Sequence, residues 1–129
     1  MDEKAFKART KQLALRVIRL VESLPKGMTA NVIRRQVLRS ATSVGANYRA
    51  ACRAKSVADM IAKLSIVEEE ADETLYWLEL LVEAGLMPET RLSDLMQETD
   101  EIVAMIVSSI KTLRQRQRAE QLPRRKSKI

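Results

Sequence analysis

The sequence predicts an all-α protein, an up-down-up-down antiparallel bundle of four helices, and three observations carry that prediction. Apolar residues recur at three- and four-residue steps in four separate runs. The breaks between runs are short and hold most of the few glycines and prolines. Hydrophobic residues make up 46% of the 129 residues and aromatics only 3%, so Ala, Leu, Ile and Val carry the core. A chain of this length buries a sufficient core without disulfides or metal.

Helix one is expected over about 3–24. Leu13, Val17, Leu20 and Leu24, flanked by Ala14, Ile18 and Val21, form its stripe, which Phe6 extends by one turn. Pro25-Lys26-Gly27 stops it, because proline donates nothing to a last turn and glycine permits a left-handed exit. Helix two, about 29–54, takes Thr29 as N-cap and buries Ile33, Val37, Ser40/Ala41, Val44, Tyr48 and Ala51/Cys52. Its middle is small, with Ser40, Ala41, Ser43, Gly45 and Ala46 together. An interior glycine costs a helix about 1 kcal/mol relative to alanine, so Gly45 points to another backbone at close range.

Helix three, about 56–85, opens on Ser56 with Asp59 three residues on, a capping-box pattern with Asp in place of Glu. Its seam reads Met60, Leu64, Val67, Ala71, Leu75, Leu78 and Val82, and Gly85 ends it. Helix four, about 89–118, follows Pro88 and repeats Leu92, Met96, Thr99, Val103, Ile106, Ile110 and Leu113 at a 3.5-residue period. The bundle thus occupies 1–118, and 119–129 is expected as a basic, largely disordered tail, Pro123 ending any helix. Helices of roughly 33–45 Å joined by two- to four-residue links can only run antiparallel.

The net charge of +6 is unevenly placed. Residues 29–55 carry six basic and no acidic side chains, 56–87 one and eight, and 111–129 eight and one. The chain has no histidine, which excludes Ser-His-Asp and Cys-His nucleophiles, zinc sites built on His and Glu-x-x-His di-iron bundles. No enzymatic activity and no cofactor are expected. Glu69, Glu70, Asp72 and Glu73 lack a calcium-type loop and read as a solvated or salt-bridged face, so no metal is expected. The single cysteine, Cys52, reads as a small buried residue. The charged N-terminus and the absence of a long apolar run give a cytoplasmic expectation without a membrane partner.

Arg35, Arg39, Arg49 and Arg53 span five helical turns, about 27 Å, and fall along one stripe of helix two. Two readings compete. The arginines either pair with the acidic face of helix three, or they meet nucleic acid. Lys111, Arg114, Arg116, Arg118, Arg124, Arg125, Lys126 and Lys128 have only Glu120 among them, which points to phosphate contact. Aromatics suited to base stacking are scarce, so sequence-specific reading of single strands is not indicated. Trp77, with Tyr76 and Leu80, lies off the core seam of helix three and is expected at a homo-oligomer interface.

Gln36–Val44, Asn47-Tyr48-Arg49, Lys63-Leu64 and above all Glu70–Leu81, reading EADETLYWLELL, resemble the bacterial four-helix-bundle proteins encoded by intervening sequences in large-subunit rRNA genes. The resemblance covers about residues 6–113. It implies a ring, typically a homopentamer, and a wider group that includes diversity-generating-retroelement accessory proteins, which bind nucleic acid and their reverse transcriptase. Ala50 and Glu68 depart from the family pattern, and losing an acid at 50 makes helix two more basic. Asn47 is expected as a buried amide bonded across helices, beside the packing residues Ser40 and Gly45. The expected function is therefore a non-enzymatic oligomeric adaptor binding nucleic acid, RNA favoured, or an RNA–protein complex. A protein-interaction scaffold without direct nucleic-acid contact is the alternative.

Overall fold

Local signals set the helix ends and the three chain reversals in the computed structural model, which describes residues 2–121. Among these residues the elements are α1 (Glu3–Glu22), α2 (Met28–Cys52), α3 (Val57–Glu83) and α4 (Glu89–Gln121), with no strand. Asp2 caps α1, accepting from the Lys4 backbone N–H at 3.0 Å. Ser56 caps α3, accepting from the Asp59 N–H at 3.0 Å, while the Asp59 carboxylate accepts from the Lys55 N–H at 3.2 Å. The α3 exit is a Schellman turn: Gly85 takes φ 73°, Leu86 N–H reaches Leu81 O and Gly85 N–H reaches Val82 O.

The start of α2 differs from the sequence expectation. Gly27, at φ 144°, occupies the N-cap position with no side-chain cap, and Thr29 lies inside the first turn. The loop is secured instead from within α2. The Arg34 guanidinium donates to the carbonyls of Val21, Leu24 and Pro25 at 3.1 Å each, satisfying acceptors that the end of α1 leaves open.

Each helix packs on two neighbours, α1 on α2 and α4, and α3 on α2 and α4. The core runs the length of the bundle through Leu13, Val17, Val37, Val44, Leu64, Leu78, Ile102 and Ile106, all fully buried. Each such aliphatic side chain contributes about 1.5–3 kcal/mol on burial. Phe6 meets Tyr48 edge-on at 4.7 Å where α1 begins and α2 ends.

Most of the expected seam of α3 and α4 is buried, but two positions on each helix sit one residue away from expectation. On α3 the buried positions include Thr74 and Leu81, with Leu75 and Val82 half-buried beside them; on α4 they include Leu95 and Ile102, with Met96 and Val103 half-buried. On α3 the reason lies in a hydroxyl that is satisfied on entry to the core. The Thr74 hydroxyl donates to Glu70 O at 2.8 Å and lies 2.9 Å from Ser40 Oγ, from which it can accept, so it enters the α2–α3 interface without an unmet donor. Helix α4 also runs through Gln121, past the expected end at 118 and three residues into the segment expected to be disordered. The remaining tail residues, 122–129, lie outside the described residues.

Candidate nucleic-acid interface

A helix that buries Val37, Val44 and Tyr48 must turn its opposite side outward, and on α2 that side carries the arginines. The structure divides them. Arg39 is engaged with α3: Nη1 donates to Glu70 Oε2 at 3.1 Å, and Nη2 donates to Glu73. Arg35, Arg49 and Arg53 are exposed and make no ion pair among the described residues. The structural reading therefore holds for Arg39, and the other three arginines of the stripe lie outside that pairing.

The cations of α4 are exposed and likewise unpaired among the described residues. Lys111, Arg114 and Arg118 flank a groove of about 340 Å³ that contains Glu68, Val107, Ile110 and Gln115. Arg116 borders a second cavity, about 410 Å³, shared with Glu3, Tyr48, Cys52, Met60, Leu64, Ser109 and Leu113. Arg124, Arg125, Lys126 and Lys128 lie outside the described residues. Burial, aided by the adjoining Glu3 carboxylate, pushes the Cys52 thiol above its ordinary value and keeps it protonated. That thiol is half-buried rather than fully enclosed.

A third depression lies between α1 and α2. Its floor is Thr10, Ala14, Thr42, Gly45 and Ala46, and its banks are Lys7 and Lys11 on one side and Arg49 on the other, enclosing about 200 Å³. It is shallow because the two helices approach closely: a Cβ on Gly45 would lie 3.3 Å from Thr10 Oγ1 and 3.6 Å from the Thr10 carbonyl carbon. Lys7 and Lys11 were not singled out by the sequence pattern, although their four-residue spacing places both on one face of α1.

Ser40 is buried on the α2–α3 interface with Thr74. Asn47 differs from expectation: half-buried, it donates from Nδ2 to Ser43 O at 2.8 Å within its own helix, with no bond across helices among the described residues. On α3, Tyr76 is 53% exposed and stacks edge-on against Trp77 at 5.1 Å. Trp77 and Leu80 are half-buried, and Trp77 Nε1 donates to Glu73 Oε2 at 3.1 Å. Glu73 thereby joins Trp77 to Arg39. Leu15, Ile66 and Val107 are further large apolar residues left exposed.

The sequence also gave no sign of the clasp between α1 and α4. Arg9 grips Glu98 through Nε (2.6 Å) and Nη2 (2.8 Å), and Nη2 also reaches Glu101 at 2.7 Å. Among the described residues no group of three or more Cys, Asp or Glu side chains is arranged to hold a metal, and no helix is long and apolar enough to cross a membrane.

Three comparisons bear on this arrangement. Residues 4–108 match the family model described as 23S rRNA-intervening sequence protein. Among solved structures, the chain is similar to a protein of unknown function from the S23 ribosomal protein family of Bacteroides thetaiotaomicron VPI-5482, at 37% identity and a TM-score of 0.79. That match covers 86% of this chain and 99% of the other. No curated protein matches.

Proposed function

The chain belongs to the family of 23S rRNA-intervening sequence proteins, and from that premise we propose that it is a non-enzymatic oligomeric adaptor that binds nucleic acid through its basic surfaces. The observation that carries the reading is the set of exposed cations without ion pairs among the described residues: Arg35, Arg49 and Arg53 on α2, and Lys111, Arg114, Arg116 and Arg118 on α4. Exposed, unpaired Lys and Arg side chains release condensed counterions when they meet phosphate. RNA is favoured because the family takes its description from rRNA intervening sequences. The absence of histidine and the raised Cys52 pKa argue against a catalytic role.

Assembly is part of the proposal. Tyr76, Trp77 and Leu80 form the self-association surface, and a homopentameric ring is the assembly we favour. A reverse transcriptase of a retroelement is a partner that the wider resemblance suggests.

Filter binding of an RNA oligonucleotide across about 50–200 mM salt tests the central claim; no binding at the low end, or a flat response to salt, would refute it. Deleting residues 122–129 should weaken binding and leave the melting temperature unchanged. The alternative, a scaffold that meets only protein, draws support from Arg39, whose charge is already taken up by Glu70 and Glu73. Exchanging charges between Arg39 and these acids separates the two. Restored assembly favours the scaffold, whereas unchanged assembly and RNA binding after the exchange, with binding lost instead in Arg35→Glu/Arg53→Glu, favours the adaptor.

A further inference from the structure

We infer that the trough between α1 and α2, banked by Lys7, Lys11 and Arg49, is a binding site for the sugar-phosphate backbone of a nucleic acid. The inference rests on the adaptor reading and adds to it a specific groove, including two lysines of α1.

Charge complementarity is the first argument. Three cations converge on one concavity of about 200 Å³, and no acidic side chain lines it. Glu3, one turn before Lys7 on α1, contacts it only in a long, exposed pair at 3.6 Å. Such a pair contributes little and yields readily to a phosphate. Lys11 and Arg49 make no ion pair among the described residues.

The shape of the floor is the second argument, and it selects the ligand class. A protein partner binds tightly by seating large aromatic or aliphatic anchors in pockets, usually opposite similar residues. This floor offers only Thr10, Ala14, Thr42, Gly45 and Ala46. A phosphodiester backbone needs no such anchor; it needs cations at the banks and room to approach. Lys7 and Lys11 stand one turn apart, about 6 Å along the axis, so they face successive points on a strand. Arg49 on the opposite bank can hold a phosphate by two parallel N–H donors. The site reads backbone and not base, because no aromatic lines it.

The test uses the full chain and a uridine homopolymer RNA, with binding followed across a salt series. Lys7→Ala/Lys11→Ala/Arg49→Ala removes three phosphate contacts, each worth about 0.7 in the slope of log K against log salt for a single strand, so the slope should flatten by about 2. Arg19→Ala/Lys26→Ala/Arg91→Ala removes the same charge from the opposite end of the bundle and should leave the slope as it is. Ala46→Glu places an acid on the exposed floor and should weaken binding without lowering the melting temperature. If the trough variant keeps the parental slope while Arg114→Ala/Arg116→Ala/Arg118→Ala loses it, the trough assignment is wrong and the adaptor reading stands. If the two triple variants at opposite ends flatten the slope equally, the effect is general charge and the assignment also fails. A parent chain that binds no RNA defeats both. Displacement of the RNA by polyglutamate at equal charge concentration assigns the trough to an acidic protein and overturns the inference.

Discussion

Replacing Arg9 by methionine should loosen the seam between α1 and α4, the most sparsely packed of the four. Methionine keeps the aliphatic stem and deletes the guanidinium, which grips both oxygens of Glu98, reaches Glu101 and contacts Met105 Sδ at 3.0 Å. The side chains of Arg9 and Glu98 are 29% and 23% exposed, so the pair lies between a solvent-screened contact and a buried one. Exposed ion pairs are worth about 0.2–1 kcal/mol and hydrogen bonds to charged groups about 1.5–3. We therefore expect a cost of about 1.5–2 kcal/mol for Arg9→Met in urea unfolding at pH 7. At about 3–4 °C per kcal/mol for a chain of this size, that is a fall in Tm of about 5–8 °C. A double-mutant cycle with Glu98→Gln should return a coupling of about 1 kcal/mol. Protein concentration must be held fixed throughout, since self-association would contribute to apparent stability.

The pH dependence of that coupling has a definite sign. The hydrogen bond from Arg9 and, secondarily, its charge hold the Glu98 carboxyl below the ordinary value of 4.5, against an opposing effect of burial. A carboxyl with a depressed folded-state pKa contributes stability that is complete above its unfolded value and is lost as pH falls through the folded one. The penalty for Arg9→Met should therefore be flat above about pH 5 and shrink below pH 4.5. A coupling under about 0.3 kcal/mol at pH 7, or one that grows on acidification, would refute the assigned role of the clasp.

Thr74→Val should cost about 1 kcal/mol, because Ser40 then keeps only its 3.3 Å bond to Val37 O, whereas Ser40→Ala/Thr74→Val together should be near neutral. Equal costs for the single and double variants in thermal melts would contradict the pairing. Cys52 should react slowly with a disulfide reagent at pH 8 and faster as pH rises past its ordinary value of 9.0, since burial and Glu3 disfavour the thiolate. Glu3→Gln should speed the reaction, and an unchanged rate would show that the carboxylate has no hold on the thiol.

Periodicity made the helices legible; the register of their seams depended on residues that hydropathy misreads. Thr10, Thr74 and Thr99 are buried, and each donates to a carbonyl three or four residues back in its own helix. Such a threonine presents a methyl group to the core and no unmet donor; the seam of helix four includes Thr99, but Thr10 and Thr74 score as polar and fall outside the expected stripes. On α3 the run Leu80-Leu81-Val82 offers two phases at once, and the Thr74–Ser40 bond favours the one that buries Leu81. Arg9 and Arg34 were illegible for another reason. Their partners lie 89 residues away, in the case of Glu98, or are backbone carbonyls, and neither leaves a local pattern.

The basic surface is likewise a product of topology more than of any one segment. Arg49 sits near the end of α2, Arg114 and Arg116 near the end of α4, and Lys7 and Lys11 in the first half of α1. In an antiparallel four-helix order those three positions share one end of the bundle, as the shared cavity of Glu3, Cys52 and Arg116 shows directly. The acids of α3 follow the opposite course. Glu73, Glu79 and Glu83 occupy its second half, toward the end where α2 begins, and the only α2 arginine they and Glu70 draw into an ion pair among the described residues is Arg39. The stripe of four arginines is therefore not a single electrostatic unit. Arg39 is tied to α3 carboxylates, whereas Arg49 lies beside Lys7 and Lys11, so that its surroundings add to its charge.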